Sequence, residues 1–228
     1  MITIKELYCM SYDLVIFDLD GTLLDSLRDL TESLNHALGQ CGLHPVSYEQ
    51  TKIWVGKGLA LFLEKALGDR YSDALFEEIK NKFLEHYAKN YFHHTHLYDG
   101  IQQLLATLDS SYKMAVCSNK HTQFIAPVLD YFQIKDYFPI FLGGDNPYGR
   151  KPEPEGIYKI IEYHNSRPEK TILVGDMQVD VLTAQSSGTA SCAVLWGYGS
   201  EQELRTLKPD YVISSPGELI KILSNHSS

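Results

Sequence analysis

Long apolar runs, clustered cysteines and an excess of basic residues are all missing from this chain. No stretch approaches the ~20 apolar residues that a bilayer-spanning helix needs, and the segment Met1 to Tyr12 has no signal-peptide profile. The four cysteines, Cys9, Cys41, Cys117 and Cys192, are widely separated and form no C-x-x-C pair. Neither a zinc site nor a redox motif is therefore expected. Cys117 and Cys192 fall within apolar runs and read as core thiols, and a reducing cytoplasm is the expected compartment. The chain carries 20 Lys and Arg against 29 Asp and Glu, a formal net charge of −9. That balance lacks the basic footprint of a nucleic-acid binder and favours solubility. Internal repeats and low-complexity tracts are absent as well.

What the chain has is an ordinary globular composition, 44% hydrophobic and 21% charged over 228 residues. A chain of that length buries roughly 70–75% of its unfolded surface, enough for one large domain or for a domain with a smaller one inserted. Its most informative stretch runs from Leu14 to Ser26, LVIFDLDGTLLDS. Leu14-Val15-Ile16-Phe17 reads as a fully buried strand that ends abruptly in two carboxylates, Asp18 and Asp20. If the backbone is still extended there, both side chains leave one face roughly 6–7 Å apart. Gly21 then permits a sharp turn close to a ligand. Burying two uncompensated charges is costly, so a cation or a shared proton is expected beside them. Asp-Gly also suits a solvated turn, and the motif alone does not exclude that.

Further on, Leu27, Leu30, Leu34 and Leu38 recur at helical spacing, with Ser26 as the expected N-cap and Gly42 closing the helix. Ser47-Tyr48-Glu49-Gln50 resembles a capping box. After the Val55-Gly56-Lys57-Gly58 loop, an apolar helix runs from Leu59 to Leu67. Ser72 opens a longer helix with Leu75, Phe76, Ile79, Phe83, Tyr87 and Tyr91 on one face. These elements show no convincing strand and read as a helical insert. From Asp99 onward strands and helices alternate. Strands are expected at Met114–Cys117, Ile140–Leu142, Thr171–Val174, Cys192–Leu195 and Tyr211–Ile213. That alternation predicts an α/β fold with a doubly wound parallel sheet.

The polar residues gather at the carboxyl ends of these strands: Asp18 and Asp20, then Ser118 and Asn119, Lys151, and finally Asp176 and Asp180. Such ends form the ligand crevice of an open α/β sheet. Taken singly, Ser118-Asn119 also suit a helix cap, Lys151 a surface lysine before a proline-started helix, and Asp176 and Asp180 a cap and a solvated first-turn acid. Taken together, Asp18-Leu19-Asp20-Gly21-Thr22, Ser118, Lys151-Pro152 and Gly175-Asp176-x-x-x-Asp180 resemble the four motifs of the haloacid dehalogenase superfamily, specifically its phosphatases. The order and spacing fit along nearly the whole chain. The insert resembles the superfamily's type-one cap, and residues 51–59 with 63–67 resemble the phosphoglycolate phosphatase branch. Met177 departs from that pattern, standing where many relatives carry a small hydroxyl residue.

The resemblance implies a Rossmann-like core over residues 1–25 and 99–228 and a helical cap over residues 26–98. It implies a Mg2+-dependent phosphomonoester hydrolase acting through an aspartyl phosphate, with 2-phosphoglycolate or a similar small phosphorylated metabolite as substrate. Asp18 would be the nucleophile and Asp20 the acid and base. The metal set would be Asp18, Asp20 through its carbonyl, Asp176 and Asp180. Ser118, Asn119 and Lys151 would bind the phosphoryl group, with Thr22 beside them or orienting the loop or the acid. Lys57, in the Gly56–Gly58 loop, would meet a second negative charge on the substrate, although an exposed loop lysine fits the same residues. A sugar-phosphate phosphatase or mutase, a pyrophosphatase and a catalytically silent binding protein remain alternatives on this scaffold. The expected assembly is a monomer or homodimer. His93-His94-x-His96 reads as a polar linker rather than a metal site, and Arg150 either adds positive potential at the site or faces solvent.

Overall fold

The computed structural model describes residues 11–225; Cys9 and most of the Met1–Tyr12 segment lie outside them. The first strand, β1 (Leu14–Phe17), is followed by a two-residue strand β2 (Leu24–Asp25) and then by four helices. These are α1 (Leu27–Gln40), α2 (Tyr48–Trp54), α3 (Leu59–Leu67) and α4 (Asp73–Asn90). The chain returns through β3 (His96–Leu97) to α5 (Ile101–Leu108), β4 (Lys113–Cys117), α6 (Ile125–Tyr131) and β5 (Phe141–Leu142). Then come α7 (Glu155–Tyr163), β6 (Thr171–Gly175), α8 (Gln178–Ser187) and β7 (Ala190–Val194). The last elements are α9 (Glu201–Thr206), β8 (Tyr211–Ile213) and α10 (Pro216–Asn225).

Six strands form a parallel sheet in the order β5-β4-β1-β6-β7-β8. Alternation along β1 divides the apolar layers, because successive side chains leave opposite faces. Val15 and Phe17 join Leu105, Val128 and Leu219 on one side, beneath α5, α6 and α10. Leu14 and Ile16 join Ile157, Ile160 and Ala184 on the other, beneath α7 and α8. The chain leaves β1 to build β4 and β5 on one flank, then crosses to build β6 and β7 on the other. That reversal opens the crevice beside β1. Register sets its level: Phe17 stands opposite Val116 on one side and Val174 on the other, so Asp18, Ser118 and Asp176 all emerge at the same rim.

The four inserted helices keep a core of their own, including Leu34, Phe62, Leu63, Ile79, Phe83 and Tyr87. Phe124 and Tyr198 from the sheet side pack into that core, so the two layers meet over the rim. Ser47 and Gln50 form the expected reciprocal cap on α2, and Ser72 Oγ accepts from Leu75 N at 3.3 Å at the start of α4. Two expectations change. Antiparallel β2 and β3 form a ribbon where the sequence shows no strand, since two residues are too few for a period to register. Ser26 makes no side-chain cap on α1; its hydroxyl turns to Asp20 instead. The His93–His96 segment is the return linker, held by the buried Asp29 carboxylate, which accepts His94 N at 3.0 Å and Thr95 N at 2.8 Å. Cys117 and Cys192 are buried free thiols. Among the described residues, no helix is long and apolar enough to cross a membrane.

Candidate active site

Asp18 extends the β1 ladder by one bond, its N–H donating to Val174 O at 2.9 Å, and its carboxylate is buried at the rim. Lys151 Nζ stands 2.8 Å from Asp18 Oδ1 and 2.6 Å from Asp180 Oδ1. Oxygens of Asp18, Asp176 and Asp180 lie within 4.8 Å of one another, and all three residues are buried. Burial raises the Asp18 carboxyl to about 6, with Lys151 pulling it down and Asp180 pushing it up. Burial, followed by the charges of Asp18 and Asp180, likewise holds Asp176 well above the usual carboxylate range. For Lys151, burial opposes the charge, but Asp18 and Asp180 outweigh it and keep the amine protonated. Three carboxylates facing one ammonium in a buried cluster leave a deficit of positive charge, which fits a hard, oxygen-seeking divalent cation.

Asp176 is fixed in place by neighbours from both sides. Thr22 Oγ1 donates to its Oδ1 at 2.9 Å and Tyr198 N to its Oδ2 at 2.8 Å. Gly21, at φ +92°, lies so close that a Cβ there would collide with the Asp176 carboxylate. Only glycine accommodates both that conformation and that approach. Thr22 is fully buried with its hydroxyl donating to Asp176, and it is not among the residues that line the cavity. Asp180 sits in the first turn of α8, where Met177 N donates to its Oδ2 at 2.9 Å. The Met177 side chain packs toward Gly56 in the insert.

Asp20 faces a second set of partners. Ser26 Oγ donates to its Oδ1 at 2.5 Å, and Lys120 Nζ lies 3.0 Å from both carboxylate oxygens. Lys120 also donates to Tyr87 Oη at 2.7 Å, joining the core acid to helix α4. Burial lowers the proton affinity of Lys120, but Asp20 and Tyr87 more than restore it, so the amine is charged. Lys120 is the main residue that sequence reasoning missed. It adjoins Ser118-Asn119 in the chain, yet nothing in its spacing distinguishes it from a surface lysine after a strand.

A cavity lies between the rim and the insert. Asp18, Asp20, Ser118, Asn119 and Lys120 form its polar side, and Leu59, Phe62, Phe83, Tyr87 and Phe124 its apolar side. Asn119 is present, but its amide N–H groups serve the scaffold, donating to Lys151 O and to Gly56 O, each at 3.0 Å. Gly56 and Gly58 line the cavity, whereas Lys57 between them is exposed and does not. Both glycines have φ of +88°, and the loop turns the intervening side chain outward. The structure therefore brings together Asp18, Asp20, Ser118, Lys151, Asp176 and Asp180, and it leaves Lys57 outside.

The sequence profile described as Haloacid dehalogenase-like hydrolase matches residues 15–194. A phosphoglycolate phosphatase of Aquifex aeolicus is 34% identical over 213 residues, covering 93% of this chain and 97% of that protein. One of Vibrio parahaemolyticus is 33% identical over 218 residues, covering 92% and 96%. The crystal structure of a predicted phosphoglycolate phosphatase from Haemophilus somnus superposes with a TM-score of 0.88 at 30% identity, covering 92% of this chain and 97% of that one.

Proposed function

This chain belongs to the haloacid dehalogenase-like hydrolase family and is a phosphatase, and from that footing we propose that it hydrolyses small phosphomonoesters through an aspartyl phosphate on Asp18, with Mg2+ as cofactor and 2-phosphoglycolate as a substrate. The observation that carries this reading is the convergence of Asp18, Lys151, Asp176 and Asp180 at one rim, with Asp20 on its own lysine. Mg2+ would be held by Asp18, the Asp20 carbonyl and Asp176, with Asp180 beside them, and would neutralise charge on the phosphoryl oxygens. Without such compensation a carboxylate meeting a phosphate dianion is repelled by about 4 kcal/mol per charge pair at 4 Å and an effective dielectric of 20.

An Asp18 oxygen attacks phosphorus as the ester P–O bond breaks, and Asp20 in its acid form gives its proton to the departing oxygen. The resulting Asp20 carboxylate then takes a proton from water as that water attacks the aspartyl phosphate. Inorganic phosphate leaves and Asp18 is regenerated. Lys151 stabilises charge on the transferring group, while Ser118 is available to a phosphoryl oxygen. The apolar wall from α3 and α4 excludes bulk water, and the insert serves as a cap that opens about the β2–β3 ribbon to admit substrate.

The test is release of inorganic phosphate from a panel of small phosphomonoesters with added Mg2+. The wild-type protein turns over 2-phosphoglycolate, and Asp18→Asn loses nearly all turnover while keeping its circular dichroism spectrum. Near-normal turnover by Asp18→Asn would reject the covalent mechanism. Turnover of other esters without 2-phosphoglycolate would reject that substrate alone.

A further inference from the structure

A second cavity, of about 230 Å³, adjoins the first and shares Gly58, Leu59, Asn119 and His121 with it. Its walls are more basic than the chain as a whole, with Arg150, Lys80 and His121 facing one carboxylate, Asp145. Asp145 is already committed, accepting Thr122 N at 2.7 Å and Thr122 Oγ1 at 2.5 Å, with His121 Nδ1 3.3 Å away. Lys80, which lines the cavity from α4, pairs with Glu77 at 2.6 Å. Arg150 has no carboxylate within ion-pair distance among the described residues. Its guanidinium lies against the insert loop, with Nη1 3.2 Å from the position a Gly58 Cβ would take. An exposed guanidinium from the core thus lines the second cavity beside Gly58, which both cavities share, in a protein whose net charge is −9.

We infer that this second cavity receives a second anionic group on the substrate and that Arg150 is the residue selecting for it. The inference rests on the phosphatase reading of the neighbouring site, which already names an ester with a carboxylate in its organic part, and assigns to that second oxyanion a cavity and a selecting residue. A guanidinium presents a planar fork of N–H donors that matches a carboxylate or phosphate edge. Lys80 adds a positive field without a fixed geometry. Lys57, which adjoins Gly58 in the chain, borders neither cavity.

The experiment compares kcat/KM for wild type, Arg150→Gln, Lys80→Gln and Lys57→Gln on matched esters. 2-Phosphoglycolate and 3-phosphoglycerate carry a carboxylate, fructose 1,6-bisphosphate carries a second phosphate, and glycerol 3-phosphate and fructose 6-phosphate are the counterparts whose organic part is uncharged. Arg150→Gln should lower kcat/KM about ten-fold more on the doubly anionic esters than on their counterparts, chiefly through KM, as loss of a charged hydrogen-bonded partner implies. Lys80→Gln should give a smaller loss in the same direction, and Lys57→Gln no change in the ratio. The carboxylate and bisphosphate arms show which oxyanion is taken. Equal losses on esters with and without the second anionic group, or no loss, would overturn the inference. If wild type hydrolyses none of them, the proposed activity on these small phosphomonoesters fails, and calorimetry with phosphonoacetate against ethylphosphonate still decides the anion site. Arg150→Gln must then weaken phosphonoacetate about ten-fold more than ethylphosphonate, and an unchanged ratio would overturn it.

Discussion

In metal-free protein, Asp18→Asn should raise stability at neutral pH although it removes the proposed nucleophile. The buried Asp18 carboxyl is raised from 3.8 to about 6, first by burial and then by Asp180, with Lys151 opposing. A folded-state value above the unfolded one means that the native protein binds this proton more tightly than the unfolded chain does. The resulting contribution is fully present below about pH 4 and is lost as pH rises through about 6. Each tenfold change in proton affinity is worth about 1.4 kcal/mol, so the interval from 3.8 to about 6 corresponds to about 3 kcal/mol. Asparagine has the shape of the protonated acid and carries no charge, so it should escape this cost. Urea titrations of chelated wild type and Asp18→Asn should therefore converge near pH 4. By pH 7.5 they should diverge to roughly 3 kcal/mol in favour of the variant. Saturating Mg2+ should narrow the gap, because ligand binding stabilises the native carboxylate cluster. A variant less stable than wild type at pH 7.5, or a difference that does not change with pH, would refute the electrostatic account of the cluster.

Two further outcomes follow from the geometry. Chelation should abolish phosphate release and Mg2+ should restore it, with Ca2+ a poor substitute because its larger and looser coordination misplaces the reacting oxygen; full activity in exhaustively chelated protein would remove the metal from the reaction. Lys120→Met strands the buried Asp20 carboxylate and should cost about 3–5 kcal/mol in urea unfolding at neutral pH; a loss under 1 kcal/mol would show that the Asp20–Lys120 pair is replaced rather than broken.

Much of the fold was legible because its signals are local. The apolar run Leu14–Phe17 ends where β1 ends, the apolar face of Ile79, Phe83 and Tyr87 is the buried face of α4, and Ser47 with Gln50 makes the cap that their spacing announces. The acids at 18, 176 and 180 were legible for the same reason, since each follows a strand and parallel register brings strand ends to one level. The β2–β3 ribbon was not, because two residues carry no period. Ser26 misled because its chemistry suits an N-cap, while its hydroxyl in fact finds Asp20 six residues earlier.

The sequence by itself determined which residues enter strands, which face of each helix is buried, and that carboxylates and Lys151 collect at one rim. Hydrophobic period and covalent spacing act within a single element and need no knowledge of its neighbours. Tertiary structure alone decided how that rim is wired. Lys120 meets Asp20 across 100 positions of chain and Tyr87 across 33, and Asn119 spends its amide on the scaffold instead of facing the cavity with free donors. Tertiary structure also put the guanidinium of Arg150 in the wall of the second cavity, against Gly58, while Lys57 borders neither cavity. Such partnerships depend on the relative placement of separate elements and on side-chain direction, and neither quantity is encoded in the spacing of residues along one strand or helix.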